Sequence, residues 1–112
     1  MQETQMEINE SNLHKCCLFF KVLGDPTRMR IILVLKGQEL CVSEICEKLN
    51  MSPSAVSHQL NVLRKARVVK SRRDGKNIYY SFDDGHVDSV INSALEHTIL
   101  EPLQQLEKKA TE

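Results

Sequence analysis

Apolar positions along this chain keep a helical spacing as far as Arg67, shift to strand-like runs until Phe82, and then return to helical spacing. In the first part, Leu13, Cys16, Cys17, Phe20 and Leu23 share one helical stripe from about Asn12, with Lys15 and Lys21 between them. Gly24 stops that helix, and Asp25-Pro26 predicts the N-cap and first-turn proline of the next. The second helix runs roughly from Thr27 to Lys36, with Met29, Ile32, Leu33 and Leu35 expected inward. Arg28 and Arg30 are expected outward, available to a phosphate or to an acidic group of the protein itself. Gly37 ends this helix, and Leu40-Cys41-Val42 reads as a short extended piece able to add a third strand to a sheet. Ser43 is the expected cap of a third helix, with Ile45, Cys46 and Leu49 inward, and Asn50-Met51 is the turn after it.

The stretch from Ser52 to Phe82 organises the rest. Ser52 is placed to cap a helix, Pro53 sits in its first turn, and Val56, Leu60 and Leu63 supply its buried stripe. VVKSRR and NIYYSF then read as two strands joined at Asp74-Gly75-Lys76-Asn77, a hairpin turn. Tyr79 and Tyr80 alternate faces, so at least one belongs to the core rather than to a stacking surface. A last helix begins near Asp84 and carries Val87, Val90, Ile91, Ala94, Leu95, Ile99, Leu103 and Leu106 on a broad apolar face, interrupted by Pro102. The expected fold is mainly α with a small β wing: a winged helix-turn-helix in the order α-α-α-α-β-β-α. Residues 1–9 form a flexible tail in this reading, 10–108 a single dimerisation and DNA-binding domain, and 109–112 a second flexible tail. The first and last helices are more apolar than a monomer of 112 residues needs, which predicts a homodimer through those two helices.

Charge changes this picture only through its distribution. The chain has 15 basic and 15 acidic residues. Between Pro53 and Ser81, however, Arg64, Lys65, Arg67, Lys70, Arg72, Arg73 and Lys76 face only Asp74, a local net of +6. Residues 1–52 carry −1 and residues 82–112 carry −5. A polarised map of this kind gives a neutral protein a phosphate footprint. No early segment has the length and apolarity of a signal peptide or membrane span, so a cytoplasmic location without a membrane partner is expected. Four cysteines are too few for a secreted disulfide framework, and in a reducing compartment they are free thiols, metal ligands or switchable pairs. Glycine-rich phosphate loops, zincin motifs and nucleophile elbows are missing, and no cysteine has a visible base partner, so no enzyme is expected.

A dimer of this shape places two recognition helices about one DNA turn apart, which fits an inverted-repeat operator in double-stranded DNA. Ser54, Ser57 and His58 on the N-terminal half of the recognition helix are the favoured readers, with Gln59 next and Asn61 and Arg64 further along. His58 has an alternative role as a structural hydrogen-bonding group inside the turn, and Gln59 as one tilted toward the protein. Arg72, Arg73 and Lys76 surround the wing tip, where they position the protein on phosphates or in the minor groove. A winged helix serving only protein–protein contact, with no inducer, is the competing class.

These residues resemble the small homodimeric winged-helix repressors of the ArsR–SmtB type, which sense metals, metalloids or reactive sulfur species. The resemblance runs from about Phe19 to His97. It is carried by Lys21-Val22-Leu23-Gly24-Asp25-Pro26-Thr27-Arg28, by Glu39-Leu40-Cys41-Val42-Ser43-Glu44-Ile45-Cys46, by Ser52–Leu63, and by Asp74-Gly75-Lys76 leading to Tyr79-Tyr80. It implies a repressor that leaves its operator when an inducer binds.

Two effector sites follow from the resemblance. Asp84, His86 and His97 match the Asp-x-His pair and later histidine that hold zinc-like ions between the last helices of two subunits. The fourth ligand position is Leu100, which has no donor atom, and Glu101 one residue on is the substitute. The alternative is thiol-based. Arsenic-sensing relatives carry three cysteines where this chain reads Cys41-Val42-Ser43-Glu44-Ile45-Cys46, so Ser43 replaces the middle one. Cadmium- and lead-sensing relatives add thiols from near the amino terminus, a role open to Cys16 and Cys17. The implied effectors are therefore Zn(2+) or a similar divalent ion, or As(III), Cd(2+) or Pb(2+) at thiols, or a redox or sulfide signal. A set of buried, inert cysteines with no effector at all is the remaining reading.

Overall fold

Helix α1 (Glu10–Leu23) opens the fold in a computed structural model that describes residues 6–100. It is followed by α2 (Pro26–Leu35), a two-residue strand β1 (Leu40–Cys41), α3 (Val42–Leu49), α4 (Pro53–Lys65), β2 (Val69–Asp74), β3 (Asn77–Phe82) and α5 (Gly85–Leu95). A π-helical turn, Glu96–Leu100, extends α5. The expected tail beyond 108, Pro102, Leu103, Leu106 and the candidate ligand Glu101 lie outside the described residues.

Local chemistry sets the helix ends. Asn9 caps α1 two residues earlier than the apolar pattern suggests, its Oδ1 accepting from the Asn12 amide at 2.9 Å. The Asp25 carboxylate accepts from the Arg28 amide at 3.0 Å ahead of Pro26, and the Ser52 hydroxyl accepts from the Ala55 amide at 3.2 Å ahead of Pro53. The third helix differs from its expected start. Cys41 is its N-cap and Ser43 lies inside the first turn, because Glu44 reaches back to accept from the Cys41 amide at 3.0 Å. Asn50, at φ 54°, makes the left-handed turn that separates α3 from α4.

The wing is a three-stranded antiparallel sheet in the order β1-β3-β2. Leu40 faces Tyr80, Arg72 faces Tyr79, and Asp74 faces Asn77, leaving Gly75 and Lys76 as the loop. Gly75 takes φ +64°, the positive value that a two-residue hairpin loop needs. Residues opposite one another share a face of a sheet, so Val69, Ser71 and Arg73 lie on one side with Phe82, Tyr80 and Ile78. Tyr80 and Phe82 pack on the core from that side, whereas Tyr79 looks outward with Arg72.

Ile31, Ile32, Leu35, Ile45, Val56, Leu60, Leu63 and Val68 are fully buried between α2, α3, α4 and the sheet, and Val87 and Ile91 of α5 close one side. Among the described residues the buried set contains no polar or charged side chain.

One expected inward position turns out differently. Leu33 is 41% exposed, and Ile31 takes its place. The residues of α2 from Ile31 to Leu35 are all apolar, so composition does not reveal the inward side. Arg28, Ile31, Ile32 and Leu35 form the real stripe, and Leu33 lies across the cylinder from it. On α1, Leu13, Cys16, Cys17 and Phe20 are exposed, while Phe19, Val22 and Leu23 meet the core. Ala94 of α5 is likewise exposed.

Candidate nucleic-acid interface

Helix α4 divides cleanly into two sides. Val56, Leu60 and Leu63 are fully buried, and Ser54, Ser57, His58, Asn61, Arg64 and Lys65 are exposed. The first side fixes the helix on the core, and the second faces outward. Ser54 lies 3.4 Å from the Ser52 hydroxyl, and Asn61 accepts from Arg64 Nη2 at 3.2 Å. Gln59 turns toward the protein, where its Oε1 accepts from Arg28 Nη1 at 3.4 Å. Arg28 also donates from Nε to the Val22 carbonyl at 2.9 Å, so its partners are a backbone carbonyl and an amide rather than an acid. Its place on the buried stripe of α2 explains this. One guanidinium thereby connects the end of α1, the start of α2 and the middle of α4.

The basic hairpin stands beside α4. Arg73 and Lys76 are exposed at its tip. Arg72 is committed within the protein: its Nη2 donates to Glu39 Oε1 at 2.6 Å, its Nε donates to the same carboxylate at 3.1 Å, and its guanidinium lies 5.2 Å from the Tyr79 ring centre. The Arg72 hydrogen bond holds the Glu39 carboxyl below its ordinary range, and Glu39 in turn raises the Arg72 guanidinium. Glu39 falls within a stretch that carries the family resemblance, but the sequence alone assigns it no role. Its signal was the third strand: pairing Leu40 with Tyr80 brings Glu39 beside β3 on the same face as Arg72 and diagonal to it. Between the start of α3, the start of α4 and the hairpin lies an open cavity of about 410 Å³, lined by Cys41, Ser43, Ser57, Lys76 and Tyr80 among others.

Residues 25–71, which span α2 through the helix-turn-helix into β2, match the model of the bacterial regulatory protein, arsR family. The chain is also 40% identical over 73 residues to the transcriptional repressor SdpR of Bacillus subtilis, covering 65% of this chain and 81% of that protein. The chain belongs to the ArsR family. A second member, a transcriptional repressor SmtB homolog of Synechocystis sp., is 47% identical over 79 residues, which cover 70% of this chain and 60% of that relative's length. The reduced HlyU structure from Vibrio cholerae superposes with a TM-score of 0.70 at 28% identity, over 80% of this chain and 94% of that one.

The effector candidates of this ArsR-family chain fall in two places. Asp84 caps α5, its Oδ1 accepting from the amides of His86 at 2.9 Å and Val87 at 3.2 Å, while its Oδ2 lies 3.3 Å from His86 Nδ1. Burial raises the Asp84 carboxyl, but these bonds outweigh it and leave the group below its ordinary value. His97 lies in the π-helical turn, where Thr98 Oγ1 donates to the Ala94 carbonyl at 2.7 Å. Cys16 of α1 and the pair Asp84 and His86 line one open cleft of about 800 Å³, together with Phe20 and Val90. Cys41 is buried with Sγ 3.2 Å from the Ser43 hydroxyl, Cys46 is half-buried, and Cys17 is exposed. All four thiols are free. Among the described residues, no three His, Cys, Asp or Glu side chains come together as a metal site.

No described helix is long and apolar enough to cross a membrane.

Proposed function

We propose that the protein is a dimeric, sequence-specific DNA-binding repressor whose operator affinity falls when an inducer binds, and that it is not an enzyme. The observation that carries this is the two-sided α4, anchored by three fully buried residues and presenting a polar N-terminal face next to a basic hairpin. Ser54, Ser57 and His58 are the base readers in this proposal, Asn61 and Arg64 extend the contact, and Arg73 and Lys76 engage phosphates. Gln59 and Arg72 start from internal partners and join only by leaving them. Two copies meet through the exposed stripe of α1 and the adjoining face of α5, which sets the spacing of the two α4 helices to match an inverted repeat.

For the inducer we favour a zinc-like divalent ion shared between two protomers, with Asp84, His86, His97 and Glu101 as the donor set. Asp84 and His86 already lie side by side at 3.3 Å, a mixed oxygen and nitrogen pair that suits zinc. In this proposal both copies contribute donors; among the described residues of a single chain no three come together. Such an ion would favour one arrangement of the α5 helices over another, and DNA would weaken its binding reciprocally. A thiol reading, with Cys16, Cys17, Cys41 and Cys46 taking arsenic, cadmium, lead or an oxidising sulfur species, is favoured by one observation: Cys16 opens into the same cleft as Asp84 and His86.

The test is selection of duplexes from a randomised pool by the purified, reduced protein, followed by titration of the complex with zinc, cadmium and arsenite. Enrichment of an inverted repeat with salt-sensitive binding is expected. Failure to enrich any sequence rejects the repressor reading. Release by zinc that survives replacement of all four cysteines supports the Asp/His site, and release lost with the cysteines supports the thiols.

A further inference from the structure

Three cations surround the wing tip, and they are not equivalent. Among the described residues no acidic group pairs with Arg73 or Lys76, whereas Arg72 is gripped by Glu39 through both Nε and Nη2, with Asp74 at a looser 3.9 Å from its Nη1. Glu39 precedes β1, the far edge strand of the sheet, and Arg72 lies on β2, the opposite edge; their contact crosses the outer face of β3 over Tyr79. A planar two-pronged contact to a carboxylate uses the same donors, in the same geometry, that a guanidinium offers a phosphate. The pair is also half-exposed, and exposed ion pairs are worth little, so an incoming anion can exchange with it.

We propose that Glu39 is an internal competitor of DNA: its carboxylate occupies Arg72 and withholds one phosphate-neutralising cation from the wing. The inference rests on the DNA-binding reading above. In the free protein Glu39 takes the place of a backbone phosphate, so Arg72 contributes to DNA affinity only to the extent that phosphate displaces it. The carboxyl is held below its ordinary range by Arg72 itself, so this competition operates at full charge at neutral pH. Glu39 thereby weakens binding to all sequences alike and keeps the complex easier to dissociate, without touching a base.

The experiment is the salt dependence of binding to the duplex enriched as above, for the parent protein, Glu39→Gln, Arg72→Ala and the double variant. Glu39→Gln should steepen the slope of log K against log salt by about 0.9, the release of roughly one more counterion. At about 0.1 M salt that corresponds to a gain in affinity of up to about eightfold. In the Arg72→Ala background the same Glu39 change should leave the slope where it was. Arg72→Lys, which keeps a cation but loses the two-pronged grip, should shift the slope in the same direction as Glu39→Gln, and it serves if the latter folds poorly. An unchanged slope in both single variants overturns the proposal. So does an equal gain with and without Arg72, since Glu39 would then act by plain repulsion of DNA. Absence of salt-sensitive binding by the parent instead overturns the DNA-binding reading, and the competitor with it.

Discussion

Phe20 separates a monomer from the proposed dimer. It is 57% exposed on α1, where Leu13 and Leu18 are 47% and 37% exposed, and its ring meets that of Phe19 edge-on at 5.5 Å between centres. A phenylalanine offers roughly 200 Å² of surface, so about 110 Å² of Phe20 is left for a partner. At about 25 cal/mol per Å², full burial contributes about 3 kcal/mol per protomer. A two-fold axis uses the residue twice, so Phe20→Ala should cost about 6 kcal/mol of dimer stability, roughly four decades in the dimer dissociation constant. Half-burial would still give about two decades. In an isolated protomer the same substitution changes stability by about 0.5 kcal/mol or less, as exposed positions do. Sedimentation over a dilution series reads the first quantity, and denaturant unfolding at several protein concentrations reads the second. A Phe20→Ala protein that dimerises like the parent would remove α1 from the interface. A parent that is monomeric at every concentration would remove the dimer altogether.

Other substitutions test the scaffold beneath the interface. Leu60→Ala removes a fully buried anchor of α4 and should destabilise by about 2–5 kcal/mol, lowering Tm by at least about 10 °C in a thermal melt. Arg67, at φ 62° after α4, holds a left-handed conformation unfavourable to any side chain, and its 3.9 Å contact with Asp83 is exposed and weak. Arg67→Gly should therefore stabilise by about 0.5–1 kcal/mol in denaturant unfolding, net of glycine's greater unfolded freedom. The Asp84 and Glu44 carboxyls both lie below their ordinary values of 3.8 and 4.5, Glu44 through its bond to the Cys41 amide and Asp84 through its cap and the His86 ring, which offset burial. Depressed carboxyls give stability that is full above those ordinary values and lost as pH falls through the lower folded ones. Acid unfolding should thus begin near pH 4, and Asp84→Asn, which still caps, should flatten part of that dependence.

The elements were legible where local chemistry and periodicity agreed. Asp25-Pro26 and Ser52-Pro53 announce helix starts because each combines an acceptor for a free amide with a residue that needs no amide partner. Asp74-Gly75-Lys76-Asn77 announces the hairpin because a two-residue loop demands a positive φ at Gly75. The same cues misled at Ser43, where a good capping residue lost to a longer one. Glu44 reaches back over a turn to the Cys41 amide, and the strand pairing of Cys41 with Tyr79 fixes the chain so that the helix begins two residues sooner. Leu33 was misplaced for a different reason: five apolar residues in succession carry no phase, and the phase came from Arg28, a residue that composition assigns to the surface.

The candidate site divides in the same way, and the division says where sequence reading stops. Exposure of Ser54, Ser57 and His58 follows from the phase of Val56, Leu60 and Leu63, since all lie on one helix and one period places them. What no single period contains is which cation is already spoken for. Arg72 and Glu39 are 33 residues apart and meet only because β1 pairs with β3 and β3 with β2, and Arg28 meets Gln59 across 31 residues through the packing of α2 on α4. A count of charges treats Arg72, Arg73 and Lys76 as three equal contributions to a +6 footprint. The structure leaves two without an acid partner among the described residues and gives the third two, Glu39 closely and Asp74 at 3.9 Å. The effective charge the wing presents to DNA is therefore a property of the sheet's strand order, and it changes if β1 is lost even when every basic residue is kept.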